Sequence, residues 1–421
     1  MYFMTTFLEF SETRVVGSRR DVVLGRDGCL SSVVDEFPAD DLSREVYCIL
    51  GLPIDVIDLP SVLRRINLAS ANSSPLFLST PNLNYLINSH ANSEFRQSLL
   101  LSDLCPTDGV PVVWLGRLLG APIKGRVAGS DILAATKTIR TSEQPLKLFL
   151  FGGAEGVAAA ASRALNAARN GVVCVGSFYP GFGTVEELSN NEIIDTINSS
   201  GADFLVVSLG ADKGQAWLTR NYHRLQIPIR AHLGATLNFE AGTVKRAPII
   251  MRKLCLEWLW RVKEEPYLWR RYCHDGSVLL GLLYSQVLPL VIDRFRKKNL
   301  YLRPLVVDMV VHGENSVNFK ICGAATSKNI NKIVSAFRAG MTTAKHIVID
   351  FSETCVVDAR FLGLLLMLTK RADRNNTKVK LVGLSSELKR DFRLNGAEFL
   401  LQPDIGTETD VMLGVAKASA T

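Results

Sequence analysis

From about Val46 to Phe239, short apolar runs bounded by Gly, Pro and Asn alternate with amphipathic stretches. The runs are PLFLSTPN, LKLFLFGG, GVVCVGSFYPGFG, DFLVVSLGA and IRAHLGATLNF. Between them lie segments such as GVAAAASRALNAARN and VEELSNNEIIDTINSS. Near-continuous apolar runs of strand length, separated by helical periods, predict a mostly parallel α/β sheet with helices on both faces. Ligands of such sheets bind beyond the carboxyl ends of the strands, so the residues just after each run are the candidates for chemistry. Residues 1–44 carry no clean period and read as a variable leader ahead of a domain over 45–244.

The pattern changes over residues 245–300. KRAPIIMRKLCLEWLWRVKEEPYLWRRY interleaves Arg and Lys with Trp, Leu and Tyr at helical spacing, and SVLLGLLYSQVLPLVI and DRFRKK follow. No stretch reaches the ~20 apolar residues of a spanning helix, and Pro289 interrupts the longest one. A basic, aromatic helical appendage of this kind suits either an anionic membrane surface or packing against the main domain. Residues 301–421 then read strand, strand, helix, strand, helix, strand, helix, a second small α/β unit able to fold alone.

Composition narrows the class. A hydrophobic fraction of 47% and a charged fraction of 21% fit a packed protein. The net charge of +7 suits anionic substrates or an anionic membrane, and is too thin for a nucleic-acid binder. Eight cysteines stand singly with no CxxC pair, as expected of reduced thiols in the cytoplasm. MYFMTTFLEFSETRVVGSRR lacks the apolar core and cleavage site of a secretory signal. No DxD-type pair or His/Cys cluster offers metal ligands, and no cofactor motif is present. His223 and His232 read as structural.

Thr80 and Asn82 follow an apolar run and so face a crevice at a strand end. Asp108, in the turn Pro-Thr-Asp-Gly before a helical run, is either an N-cap or a general base. Arg126 is suited to phosphate oxygens. Gly152, Gly153 and Gly156, in LFLFGGAEG, either shape a tight turn or present N–H groups to a nucleotide phosphate. Arg261, Arg270 and Arg271 either snorkel beside Trp260 and Trp269 or clamp a diphosphate.

TPNLNYL, DGVPVVWLGRLLG and RVAGSD, followed in order by LFLFGGAEGVA, SFYPGFG, LGADKGQAW, HLGATLNFEAGTVKRAP and LEWLWR, resemble the signature blocks of the WecG/TagA/CpsF glycosyltransferases over about residues 46–275. The resemblance implies an inverting, metal-independent transfer from a UDP-sugar to a polyprenyl-pyrophosphate-linked acceptor. It implies Asp108 as base, Thr80, Asn82 and Arg126 in the pocket, and Arg261 and Arg271 on the diphosphate. It also implies a cytoplasmic enzyme at the inner membrane, making exopolysaccharide or another surface glycan. One block departs: Gly214 replaces the usual Gln, and Gln215 stands where Glu is usual, so that either Gln215 supplies the substrate-binding amide from one residue away or the donor sugar is read differently. That departure keeps an alternative open, a catalytically degenerate transferase acting as a regulatory protein.

HIVIDFSETCVVDARFLGLLLML and VKLVGLSSELKRDFRLNG resemble a STAS domain. The phosphorylated Ser of STAS antagonists is replaced by Ala359. Arg360 then places a cation where an acidic protein partner, of unknown identity, is expected to dock, unless the unit is a passive spacer or a dimerisation unit.

Overall fold

The computed structural model describes residues 40–138, 145–253, 256–312, 315–341 and 344–401. The expected leader lies outside these residues up to position 39. Its end does not behave as a leader: Asp41, Leu42 and Arg44 are buried. They open onto an antiparallel hairpin of β1 (Val46–Ile49) and β2 (Leu52–Asp55), in which every residue is buried.

The parallel sheet is present as predicted. It comprises β3 (Leu76–Ser79), β4 (Leu146–Gly152), β5 (Val172–Phe178), β6 (Phe204–Ser208) and β7 (Ile229–His232), in the order β3-β7-β6-β4-β5 with every pairing parallel. β3, β6 and β7 are buried throughout, as strands covered on both faces must be. One apolar cluster on each side of the sheet anchors the flanking helices.

The appendage corrects an expectation. Pro266–Arg296 is one helical run of 31 residues, with an apolar window of mean hydropathy 1.5, long and apolar enough by composition to cross a membrane. Pro289 does not break it, because a π turn spans Leu283–Val287. Proline clashes with the carbonyl four residues back, here Ser285, and the widened turn relieves that clash. Leu282 and Val287 are buried against the N-terminal unit. Leu280, Tyr284, Leu288, Ile292 and Phe295 are exposed, and their spacing of four, four, four and three puts them on one stripe.

The C-terminal unit has β9 (Ser316–Ala325) at its centre, antiparallel to β8 (Val306–His312) and parallel to β10 (His346–Asp350) and β11 (Thr354–Val357). β12 (Lys378–Val382) extends it beside β10. The strand at 354–357 was not anticipated; it is four residues long and follows a turn.

The two units share a core. Leu42, Val46, Cys48 and Leu100 lie in the same apolar cluster as Phe361, Leu365 and Leu368 of the helix Ala359–Arg374. A Cβ on Gly363 would come within 2.1 Å of the Val46 carbonyl oxygen, so only glycine lets the helix approach β1 so closely. Arg360 is buried rather than offered to a partner. Its guanidinium donates to the carbonyls of Val46 and Arg44, both at 3.1 Å. Glu45 O bonds Val56 N on the hairpin side, so the flanking carbonyls point to the unpaired edge of β1. The planar fork of arginine satisfies that edge. The expectation of a cation facing an acidic partner is therefore corrected: Arg360 faces the chain's own hairpin.

Candidate active site at the carboxyl end of the sheet

The loops after β3, β4, β6 and β7 converge at one end of the sheet. Thr80 is buried just past β3. Asn82 caps the helix Leu83–Ala91, its Oδ1 accepting Tyr85 N at 3.2 Å. Asp108 N donates to Pro81 O at 2.8 Å, which draws the two sequence blocks together. Val127 N donates to Thr107 O at 2.7 Å, which brings in the segment of Arg126.

Asp108 is not a cap. The helix Val110–Leu118 starts from Gly109 without any side-chain cap bond. The Asp108 side chain is half-buried, and desolvation drives its pKa up to about 7. Arg126 and Arg246 pull it down, while Glu257 and Asp131 push it further up. A carboxylate poised near neutrality is what a general base at physiological pH requires.

Arg126 is held by Glu257 at 2.5 Å and by Asp131 at 3.5 Å. Arg246 pairs with Asp131 and donates to Ser130 Oγ at 3.1 Å. Glu257 belongs to the appendage, which is also pinned by Trp260 Nε1 donating to Lys245 O at 2.9 Å. Glu257, Arg246 and Asp131 were not singled out from sequence, though each stands in a quoted block: LEWLWR, VKRAP and VAGSD. Arg261 is ion-paired with Glu265 and lies 5.6 Å from the Phe239 ring. Arg271 is exposed over Tyr272, and Arg270 over Trp269.

Gly152, Gly153 and Gly156 all have positive φ. A Cβ on Gly152 would lie 2.6 Å from Ser208 O, and Gly153 N donates to that same oxygen at 2.7 Å. The Gly-Gly pair thus satisfies the β4–β6 junction. Gly156 opens the helix Val157–Ala167 without a side-chain cap, and a Cβ there would meet nothing within 4 Å.

Gln215 is fully buried beneath the site rather than in its lining. Its Nε2 donates to Ser79 Oγ at 2.9 Å and to Tyr85 Oη at 3.2 Å. Tyr85 Oη meets His232 Nδ1 at 2.7 Å, and His232 Nε2 meets Leu209 O at 2.7 Å. Burial lowers the His232 pKa, which keeps the ring neutral in this chain of bonds. The departure at Gly214 has a steric reason: a Cβ there would lie 2.3 Å from His232 Cδ2.

The model of the Glycosyl transferase WecG/TagA/CpsF family matches residues 47–291, and that of the STAS domain matches residues 307–410. An N-acetylglucosaminyldiphosphoundecaprenol N-acetyl-beta-D-mannosaminyltransferase of Bacillus spizizenii is 26% identical over 195 residues, covering 46% of this chain and 74% of its own length. A Staphylococcus aureus protein of the same name is 26% identical over 226 residues, covering 53% and 85%. The solved structure described as "The overall structure of SLC26A9" is 13% identical and covers 50% of this chain and 39% of its own, with a TM-score of 0.21, too low to compare architectures. The first family match spans more than half of the sequence and takes in Thr80, Asn82, Asp108 and Arg126, so the chain belongs to the WecG/TagA/CpsF glycosyl transferase family, with a STAS domain behind it.

Proposed function

We propose that this protein transfers a sugar from a UDP-sugar to a polyprenyl-pyrophosphate-linked saccharide, with inversion and without a metal, in the assembly of an exopolysaccharide or another surface glycan. The observation that carries this reading is Asp108: a carboxyl held near neutrality, free of capping duty, beside an arginine at the carboxyl end of a parallel sheet. In the step envisaged, an acceptor hydroxyl attacks the anomeric carbon, Asp108 takes its proton, the sugar–phosphate bond breaks and UDP leaves. Thr80 and Asn82 line the pocket, and Arg126 meets the diphosphate once it exchanges Glu257 for phosphate oxygens. Gly152, Gly153 and Gly156 frame the nucleotide side, and Arg261 and Arg271 reach the diphosphate by movement of the appendage. Gln215 acts on substrate only through Ser79 and Tyr85. The relatives' names specify an undecaprenol-diphosphate-linked acceptor and an N-acetylmannosaminyl group; the acceptor class is carried over here and the donor sugar is not, because of the altered Gly214–Gln215 block.

The exposed stripe from Leu280 to Phe295, flanked by Arg294, Arg296 and Lys298, suits an appendage lying on the anionic cytoplasmic face of the inner membrane, where a lipid-linked acceptor is presented. The test of function is UDP release from a panel of UDP-sugars with a short lipid-diphosphate-sugar acceptor, with and without EDTA. No turnover with any donor would favour the degenerate-transferase reading; loss on chelation would remove the metal-free step. The membrane reading predicts that the full chain carrying Tyr284→Ser, Leu288→Ser and Phe295→Ser loses flotation with acidic vesicles. Unchanged flotation would overturn it.

A further inference from the structure

The segment Ser102–Asp108 carries the proposed base, and its amino-terminal half is gripped from the C-terminal unit. Lys370, in the helix Ala359–Arg374, is 4% exposed. Its ammonium has three N–H donors, and three acceptors surround it: Ser102 O at 2.9 Å, Asp103 Oδ1 at 3.0 Å and Asp41 Oδ1 at 3.0 Å. Arg374 reaches the same Asp103 Oδ1 at 2.9 Å and Asp41 Oδ2 at 3.0 Å. Arg44 donates to Ser102 O at 3.0 Å and grips both oxygens of Asp55, at 2.7 and 3.2 Å. Asp55 Oδ2 in turn accepts Cys105 N at 2.6 Å.

The grip extends to both sides of the site. Asp103 Oδ2 accepts Phe77 N at 3.0 Å, on the strand that ends before Thr80. Ser102 Oγ meets Ser79 Oγ at 2.7 Å, the same hydroxyl that Gln215 bonds. At the far end, Asp108 N is tied to Pro81 O. Packing alone does not call for a lysine here. Burying an ammonium costs desolvation, and an apolar side chain of similar volume would fill the space at less cost. The arrangement of three acceptors is what the ammonium satisfies.

We infer that Lys370 is a positioning residue for the transfer reaction: the STAS domain acts inward, holding the Ser102–Asp108 loop, and loosening its central helix lowers turnover. This inference rests on the proposed role of Asp108. It places the domain's effect in the chemistry of its own chain before any outside partner is involved.

The test uses the full chain with Lys370→Met and, as a milder variant, Arg374→Gln, whose side chain is 40% exposed. A positioning role predicts that kcat falls about 10–100-fold in Lys370→Met, as for a displaced catalytic group, while the donor KM stays within about twofold. Hydrogen exchange at the Phe77 amide and across 103–105 should quicken in both variants, while β9 and β10 keep their protection. If Lys370→Met does not fold, Arg374→Gln carries the test through the same two readouts, with a smaller fall in kcat. Wild-type kcat and wild-type exchange at Phe77 in a folded variant would overturn the inference. If the wild-type chain turns over no donor, the proposed function has failed, and the exchange at Phe77 and 103–105 alone decides whether Lys370 holds the loop.

Discussion

Asp103 and Asp108 stand on the same loop, and their surroundings drive them in opposite directions. Burial raises both. At Asp103 the charges of Lys370 and Arg374 and the N–H of Phe77 overcome it, and the pKa falls to about 2. At Asp108 the cation with the strongest pull, Arg126, is shared with Glu257 and Asp131, burial prevails, and the pKa rises to about 7. The first carboxylate is fully engaged in structure. The second is left available to accept a proton. What separates anchor from base is the number of cations left over after pairing, not depth of burial.

The largest test of this contrast is Asp108→Asn. It should cost about 10²–10⁴-fold in kcat, as removal of a general base does, with the fold kept. Near-wild-type turnover would mean that the carboxylate takes no proton. Asp103→Ala should instead cost stability, about 3 kcal/mol by urea unfolding, because Lys370 and Arg374 are left with Asp41 alone to balance two cations and the Phe77 amide loses its acceptor. A loss below about 1 kcal/mol would show the pair to be no better than a surface ion pair.

Acidity offers a finer measure. The base is active when ionised, so kcat should rise with pH through about 7. The two carboxyls affect stability in opposite senses. Asp103, depressed in the fold, contributes stability above its unfolded pKa of about 4 and loses it as pH falls toward 2. Asp108, raised in the fold, opposes folding increasingly as pH climbs from about 4 to 7. Thermal unfolding of Asp108→Asn against wild type at pH 5 and pH 8 should therefore show the larger gain at pH 8. The smallest expected effect belongs to Glu257→Gln, which removes one charge that raises Asp108 and frees Arg126 to lower it. The rising limb of the rate profile should move to lower pH, and a shift to higher pH would contradict the contrast.

Part of this site was legible from sequence because Thr80 and Asn82 follow a strand, and parallel strands deliver their carboxyl ends to one place. Asp108 and Arg126, which lie past helices, were picked out by their turn chemistry and motif blocks. Glu257 and Asp131 were not, since a carboxylate that competes for an arginine has no spacing rule. Gln215 was assigned to substrate, because nothing in LGADKGQAW distinguishes an amide facing a pocket from one facing Ser79. The docking of the two units was also missed, although a signal existed. From Ala359 to Lys370 every residue is buried, Arg360 and Lys370 included. A helix apolar on all sides is buried on all sides, and FLGLLLML therefore needs more cover than one small sheet provides.

The β1–β2 hairpin leaves the ribosome long before the helix that covers it. At ordinary elongation rates of about 5–20 residues per second, roughly 15–60 s separate the two. For that interval Val46, Cys48 and the open edge of β1 have no native cover, and the contact they await is among the most distant in sequence that the fold contains. An unpaired apolar edge exposed for so long is a target for chaperones and for pairing with other nascent chains. Release of the folded protein is thus tied to synthesis of the helix Ala359–Arg374, so that a chain cut short before Ala359 would mark itself for disposal.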